Sequence, residues 1–420
     1  MRILVFGQLL SNGGTERVIA QLSVMWTELS HEVVFVTQYR RIGAEFEHAS
    51  IAHESYGDRP LTEADVLQFC DKYRPDCFVI NGGITRDDPF VALKALKARP
   101  YIRTILILHH SYSTWLYELA CHEDFTRRED IVDVDVVVCV DPLLTLWWRE
   151  MGAASFYIPN PVAIRADVCI QKDRVCGSHD SVVWAGRLDD PCKQAELAIK
   201  TFASVCEQCP DAKLIMLGKC GAVSRKKLLG QMSPHVRSKI ELRGFVNNVS
   251  EVFSQAAVHL FTSEFEVTVP QVVLEAQACG VPTVAMDMPA LAPVDDSAGV
   301  IKKHTSQDLT VEICRLLRDP AYREAISSAA RVAAKSGRND RVAEAWAELF
   351  GTISERPKLE ALRHCNIEAL STVENYRLIL QEEQRAQARF MRRHFNDLMQ
   401  VKIWRNRLRK IRGILCGGTR

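Results

Sequence analysis

Neither sign of charge dominates this 420-residue sequence: 53 Lys and Arg stand against 52 Asp and Glu, a formal net charge of +1. The global basic surplus that grips nucleic-acid phosphates is missing, so no nucleic-acid partner is expected. No run of 18 or more apolar residues occurs, and no transmembrane helix is expected. The opening MRILVFGQLL has one Arg and a short apolar stretch, but a glycine turn follows it rather than a small-residue cleavage site. It reads as a first strand, not a signal peptide. Cys206 and Cys209 lack a second C-x-x-C or a His pair at zinc spacing, which favours a plain helix terminus over structural zinc. The 14 cysteines are otherwise scattered, mostly inside apolar runs such as DCFVI (Cys77) and VVVCV (Cys139). That pattern suits reduced, buried thiols in a cytosolic protein.

What is present is the composition of a folded soluble protein, 47% hydrophobic and 25% charged, with length for two or three domains. Apolar runs alternate with helical patterns. Strands are expected at Arg2–Phe6, Glu32–Thr37, Cys77–Ile80, Thr104–Leu108 and Val136–Val140, with an amphipathic helix over Thr15–Leu29. Strands apolar throughout, rather than alternating, indicate parallel sheets covered by helices on both faces. Ile158-Pro159-Asn160-Pro161 interrupts the series, because two prolines in three residues continue neither a helix nor a central strand. Alternation then resumes: strands at Val182–Ala185, Lys213–Leu217, Lys239–Leu242, Val258–Phe261 and Thr283–Met286, helices at Glu196–Glu207 and Pro270–Cys279. The expected architecture is α/β, with domains over 1–162 and 163–351 and an extension over 352–420. Ligands of such sheets sit beyond the carboxyl ends of the strands, so two facing domains imply a cleft.

The extension is basic. From Arg385 to Arg412 it holds ten Lys and Arg and one acid, Asp397. Trp404, Leu408, Ile411 and Leu415 recur at helical spacing, which suits a helix on an anionic membrane surface through 385–415, or equally one docked on protein.

Several residues point to chemistry. Ser11-Asn12-Gly13-Gly14 follows the first strand and opens a helix, where glycines admit close backbone approach and free amides attract an anion. A second anion site is expected at the helix beginning near Pro270, with Thr268 as its cap and Glu275 in its body, able to accept from a ribose diol. Gly186-Arg187-Leu188-Asp189-Asp190-Pro191-Cys192-Lys193 follows a strand end, and its two cations can neutralise a leaving diphosphate without a metal. His109 and His110 follow TILIL, so at least one imidazole should emerge at a carboxyl end. Asp133-Val134-Asp135 has the form of a metal-nucleotide D-x-D, but it runs into a strand without acidic company and reads as structural.

Taken in order, LSNGGTERVIAQLSVMWTELSHEVVFVT, IPNPV, GRLDDPCK, LIMLGKCG, LRGFVNNV and VVLEAQACGVPTVAMD resemble the family 4 glycosyltransferases of the GT-B fold, across about residues 1–350. The resemblance implies two facing Rossmann-like domains with an interdomain cleft. It also implies retaining, metal-independent transfer of a sugar from a nucleotide-sugar donor to a saccharide or lipid-linked acceptor, with no cofactor. By motif, Arg187 and Lys193 would hold the diphosphate, Glu275 the ribose, and His109 would lie near the sugar. Gly13, Gly14, Gly186, Gly218 and Thr268 would complete the donor site. The family usually has two glutamates eight positions apart. Here the eighth residue before Glu275 is Val267, Glu266 is nine before it, and Glu264 is also near. A one-residue bulge could still deliver Glu266 to the sugar, Glu264 could take that position, or the site is altered. Ser30 replaces the usual glycine before His31, read as a turn variation. The implied role is surface polysaccharide or glycolipid assembly at the cytoplasmic face of a membrane. The alternatives are a non-catalytic nucleotide- or glycan-binding partner subunit, or a nucleotide-sugar epimerase.

Overall fold

The computed structural model describes residues 1–7, 14–38, 51–57, 59–82, 88–111, 134–150, 152–162, 180–230, 232–246 and 248–355. These form two compact units: one of the described residues within 1–161 together with 342–355, the other of those within 162–341.

In the first unit the strands are β1 (Arg2–Gly7), β2 (Glu32–Thr37), β3 (Ala52–Ser55), β4 (Cys77–Asn81), β5 (Arg103–Leu108), β6 (Val136–Cys139) and β7 (Ser155–Tyr157). They form one parallel sheet ordered β3-β2-β1-β4-β5-β6-β7. Successive side chains leave a strand on opposite faces, so each apolar run feeds two cores. Leu4, Phe6, Ile80 and Leu106 pack with the helices Glu63–Tyr73, Asp88–Leu96 and Pro142–Glu150. Ile3, Val5, Val79 and Ile105 pack on the other face with the helix Gly14–Glu28.

That second face is completed from far along the chain. Val342, Trp346, Leu349, Phe350 and Ile353, on the helix Arg338–Ser354, join the same core. Trp26 meets Trp346 edge-on at 4.8 Å and Phe350 at 5.7 Å. Residues 342–351, expected in the second domain, therefore belong to the first unit, because their apolar stripe is buried there. Ser30 takes the turn before β2 at φ 65°, the left-handed conformation a glycine would hold more easily.

The second unit repeats the plan with β8 (Ser181–Ala185), β9 (Lys213–Leu217), β10 (Ile240–Gly244), β11 (Val258–Phe261), β12 (Thr283–Met286) and β13 (Val300–Lys303), ordered β10-β9-β8-β11-β12-β13 and parallel. Val182, Trp184, Leu214, Met216 and Leu260 pack against the helices Ala195–Gln208 and Ser306–Arg318. In both sheets the order reverses beside the first strand, between β1 and β4 and between β8 and β11. Such switch points open a crevice outside the strands' carboxyl ends.

The nine cysteines among the described residues are free thiols. Cys209 ends the helix Ala195–Gln208, its N–H donating to the Val205 carbonyl at 2.7 Å, which is the plain terminus expected. Asp135 is structural as well: its carboxylate accepts from the Thr104 N–H at 2.8 Å and lies 3.7 Å from the Arg103 guanidinium. Asp133 is outside the described residues. No helix of the described residues is long and apolar enough to cross a membrane. The basic stretch 385–415 lies outside them.

Candidate functional site

The second unit gathers most of the candidate residues at its switch point. β8 ends at Ala185 and the chain turns through Gly186 and Arg187 into a short 3-10 turn, Pro191–Lys193. Asp190 caps that turn by accepting from the Cys192 N–H at 3.0 Å, and its other oxygen accepts from Arg187 Nη2 at 2.5 Å. Burial pushes the Asp190 carboxyl up, but the Cys192 N–H and the Arg187 cation outweigh it and hold the group below its usual range. One carboxylate thus fixes both the turn and the Arg187 side chain, which is otherwise 73% exposed.

From β11 comes the other wall. Thr262, fully buried just past the strand end, accepts from the Trp184 indole N–H at 2.9 Å and shares its own hydroxyl between the carbonyls of Lys193 and Gln194. The Glu264 N–H donates to the Cys192 carbonyl at 2.8 Å. These bonds strap the loop after β11 to the loop after β8, and the Lys193 ammonium forms an ion pair with Glu266. Both side chains are half-buried, where a pair of charges is screened less than at the surface. Glu264 remains exposed, and its carboxylate accepts from Gln194 Nε2 at 3.3 Å.

β9 supplies Gly218 at φ +136°. A Cβ there would lie 1.8 Å from the Gly186 carbonyl oxygen, so two strand ends meet backbone to backbone and only glycine fits.

The helix expected near Pro270 is Gln271–Ala278, with Pro270 itself at the cap position and no side-chain cap. The expectation that Thr268 caps it is corrected: Thr268 is two residues before the cap position, and the proline there has no side-chain acceptor. Glu275 is 1% exposed rather than solvated.

In the first unit Gly14 begins the helix Gly14–Glu28, and Gly13 lies outside the described residues. His109 and His110 both follow β5, as expected. Burial and the neighbouring His110 depress His109 to about 3, and burial depresses His110 to about 4, so both imidazoles are neutral at physiological pH. His109 Nε2 lies 2.8 Å from Oδ1 of Asn81, the last residue of β4.

The structure therefore brings together Gly186, Arg187, Lys193, Gly218 and Glu266, places Thr268 and Glu275 on the segment that follows, and leaves His109 and Gly14 in the other unit. Sequence reasoning missed Asp190 as the partner of Arg187, Thr262 as the strap, and Asn81. Asp190 was in view three residues after Arg187, whereas Thr262 and Asn81 carry no local signal.

This geometry defines an α/β protein whose second unit sets two ion-paired cations and a close glycine–glycine backbone contact at its switch point. Residues 179–319, all within that unit, match the family model described as glycosyl transferases group 1. Among solved structures the chain is similar to HepE of Anabaena in complex with UDP, at 19% identity and a TM-score of 0.65, covering 83% of this chain and 100% of that one. It is also similar to sucrose-phosphate synthase of Thermosynechococcus elongatus, at 17% identity and a TM-score of 0.62, covering 84% and 98%. At such identities the likeness shows the fold, GT-B. A curated relative, an exopolysaccharide phosphotransferase of Streptomyces coelicolor, is 27% identical over 172 residues, which is 40% of this chain and 18% of that protein. The chain thus spans about a fifth of that relative's length.

Proposed function

We propose that this chain is a retaining, metal-independent glycosyltransferase of the family 4 type, moving a sugar from a nucleotide-sugar donor to an acceptor hydroxyl. The observation that carries the reading is the cluster of Arg187, Lys193 and Glu266 beside the close Gly186–Gly218 backbone contact, inside the stretch that matches the group 1 model.

Departure of a nucleoside diphosphate builds negative charge on phosphate oxygens. Arg187 and Lys193, already held by Asp190 and Glu266, are preorganised to stabilise it. Gly186 and Gly218 let those oxygens approach the backbone, the helix after Thr268 adds its first amides, and Glu275 accepts from the ribose hydroxyls. Glu266 rather than Glu264 is assigned the sugar contact, a choice supported by its ion pair with Lys193, whereas Glu264 is exposed and bonded to Gln194. By the family resemblance His109 is assigned to a sugar hydroxyl, and Gly13 and Gly14 to phosphate. The bond from the anomeric carbon to the diphosphate breaks, the acceptor oxygen bonds that carbon from the same face, and its proton passes to the departing diphosphate.

The acceptor class proposed is a saccharide or lipid-linked saccharide of surface polysaccharide or glycolipid assembly, supported by the name of the Streptomyces relative. Residues 385–415 would hold the enzyme on the anionic cytoplasmic leaflet, each Lys or Arg near the surface contributing about 1 kcal/mol. Deleting them should abolish salt-sensitive liposome binding, and unchanged binding would remove this part of the reading.

That relative's name also favours a second reading, phosphotransfer. The released nucleotide separates the two: a glycosyltransferase leaves the nucleoside diphosphate and a product with the donor's anomeric configuration, whereas transfer of a phosphosugar leaves the monophosphate. Chromatography of the spent nucleotide with NMR of the product decides between them.

A further inference from the structure

The polar contact between the ends of β4 and β5 is not used by the reading above, apart from His109 itself. In the register of the two strands Asn81 pairs with Ile107, and His109 lies two residues further on, at the carboxyl edge. Asn81 is 8% exposed, and its Oδ1 meets His109 Nε2 at 2.8 Å. With the Asn81 amide oxygen turned to the ring, the contact is a hydrogen bond when Nε2 carries the proton, because an amide oxygen only accepts. A neutral imidazole has one N–H, and Nδ1 is then a bare lone pair. His110 is the titratable neighbour that acts on His109, and together with burial it disfavours the second proton.

We propose that Asn81 is a positioning residue that locks His109 as the neutral Nε2–H tautomer, so that its free ring nitrogen accepts a hydrogen bond and the group it recognises is a hydroxyl donor. The substrate side of this statement rests on the reading that His109 meets the transferred sugar; the tautomer does not. A ring locked this way serves as an acceptor toward a carbohydrate hydroxyl. To act as a donor toward a phosphate oxygen it would first have to give up the Asn81 bond.

The test is a histidine-selective ¹⁵N spectrum of the full chain, with the His109 resonance assigned by its loss in His109→Gln. The wild type should show the Nε2–H pattern, unchanged down to about pH 5. Asn81→Leu should give mixed tautomers and lower kcat/KM by roughly tenfold, the equivalent of one lost intramolecular hydrogen bond. Asn81→Asp keeps an acceptor in place and adds a charge, so it should preserve the Nε2–H pattern at high pH and raise the His109 midpoint. A wild-type Nδ1–H pattern, or an Asn81→Leu spectrum identical to wild type, overturns the proposal. If Asn81→Leu does not fold, Asn81→Asp decides alone, and an unmoved midpoint is the contrary result. Turnover is followed on whichever UDP-, GDP-, ADP- or CMP-sugar stabilises the chain. If the tautomer behaves as stated while His109→Gln leaves that turnover intact, the functional reading fails and the positioning of the ring stands.

Discussion

Lys193 meets any ligand already paired. Its ammonium rests on Glu266 and its carbonyl on Thr262, while Arg187 is held by Asp190, so a diphosphate would find two cations whose ordering was completed during folding. Removing either cation should therefore cost transition-state stabilisation on the scale of one preorganised donor, about 2.7–4 kcal/mol. Arg187→Ala and Lys193→Ala are each expected to lower kcat by roughly 10²–10³-fold in a single-turnover assay. Near-normal turnover in either would contradict its role. At this scale the sequence shows Gly186, Arg187 and Lys193 plainly, because they share one eight-residue turn, Gly186–Lys193. It does not show their partners. Thr262 is 69 residues from Lys193, and Asn81 is 28 from His109. Only the pairing of neighbouring strands brings them together. The position of Glu266 could be counted but not placed, since a loop absorbs an extra residue by bulging rather than by shifting the helix after it.

The elements legible in the sequence are the interior ones and one edge strand, β10, expected at Lys239–Leu242 and found at Ile240–Gly244. β1, β2, β4, β5, β6, β8, β9, β11 and β12 are short, largely apolar runs covered on both faces, and their signal is strong because most of their residues are buried. β3 reads AHES, β7 has three residues and β13 ends in two lysines. Sheet edges need less apolar surface, and a short polar strand looks like a loop. The helix Arg338–Ser354 is a different case. Its amphipathic pattern is plain, but a pattern does not say which sheet it covers, and the aromatic pocket formed with Trp26 decides the matter. Trp346 is 1% exposed, and Trp346→Ala should destabilise the first unit by about 3–5 kcal/mol, read as a lower urea midpoint. A midpoint within error of wild type would place that helix elsewhere.

For the whole molecule, the two sheets share a strand order, and both carry neutral histidines in or beside it. Burial depresses His259, on β11 against Thr283, to about 3, as it does His109, with His110 near 4. In the unfolded chain these groups take up protons near 6.5. Below that pH the unfolded state binds more protons than the native one, so stability is present above about pH 6.5 and is lost as pH falls toward 4, by roughly 1.4 kcal/mol per pH unit for each group. His259→Gln should flatten the fall in unfolding free energy between pH 6.5 and 5, whatever its effect at neutral pH, and an unchanged slope would mean that the ring is not buried neutral. The central claim is that the second unit binds a nucleotide-sugar through Arg187 and Lys193 without a metal. It is tested most directly by melting wild type and Lys193→Ala with UDP-, GDP-, ADP- and CMP-sugars in the presence of EDTA, since a ligand bound by the native state alone must raise the melting temperature. The account predicts stabilisation of the wild type by one nucleotide class, kept in EDTA and lost in Lys193→Ala. Stabilisation that disappears with EDTA, or that survives loss of Lys193, would contradict it.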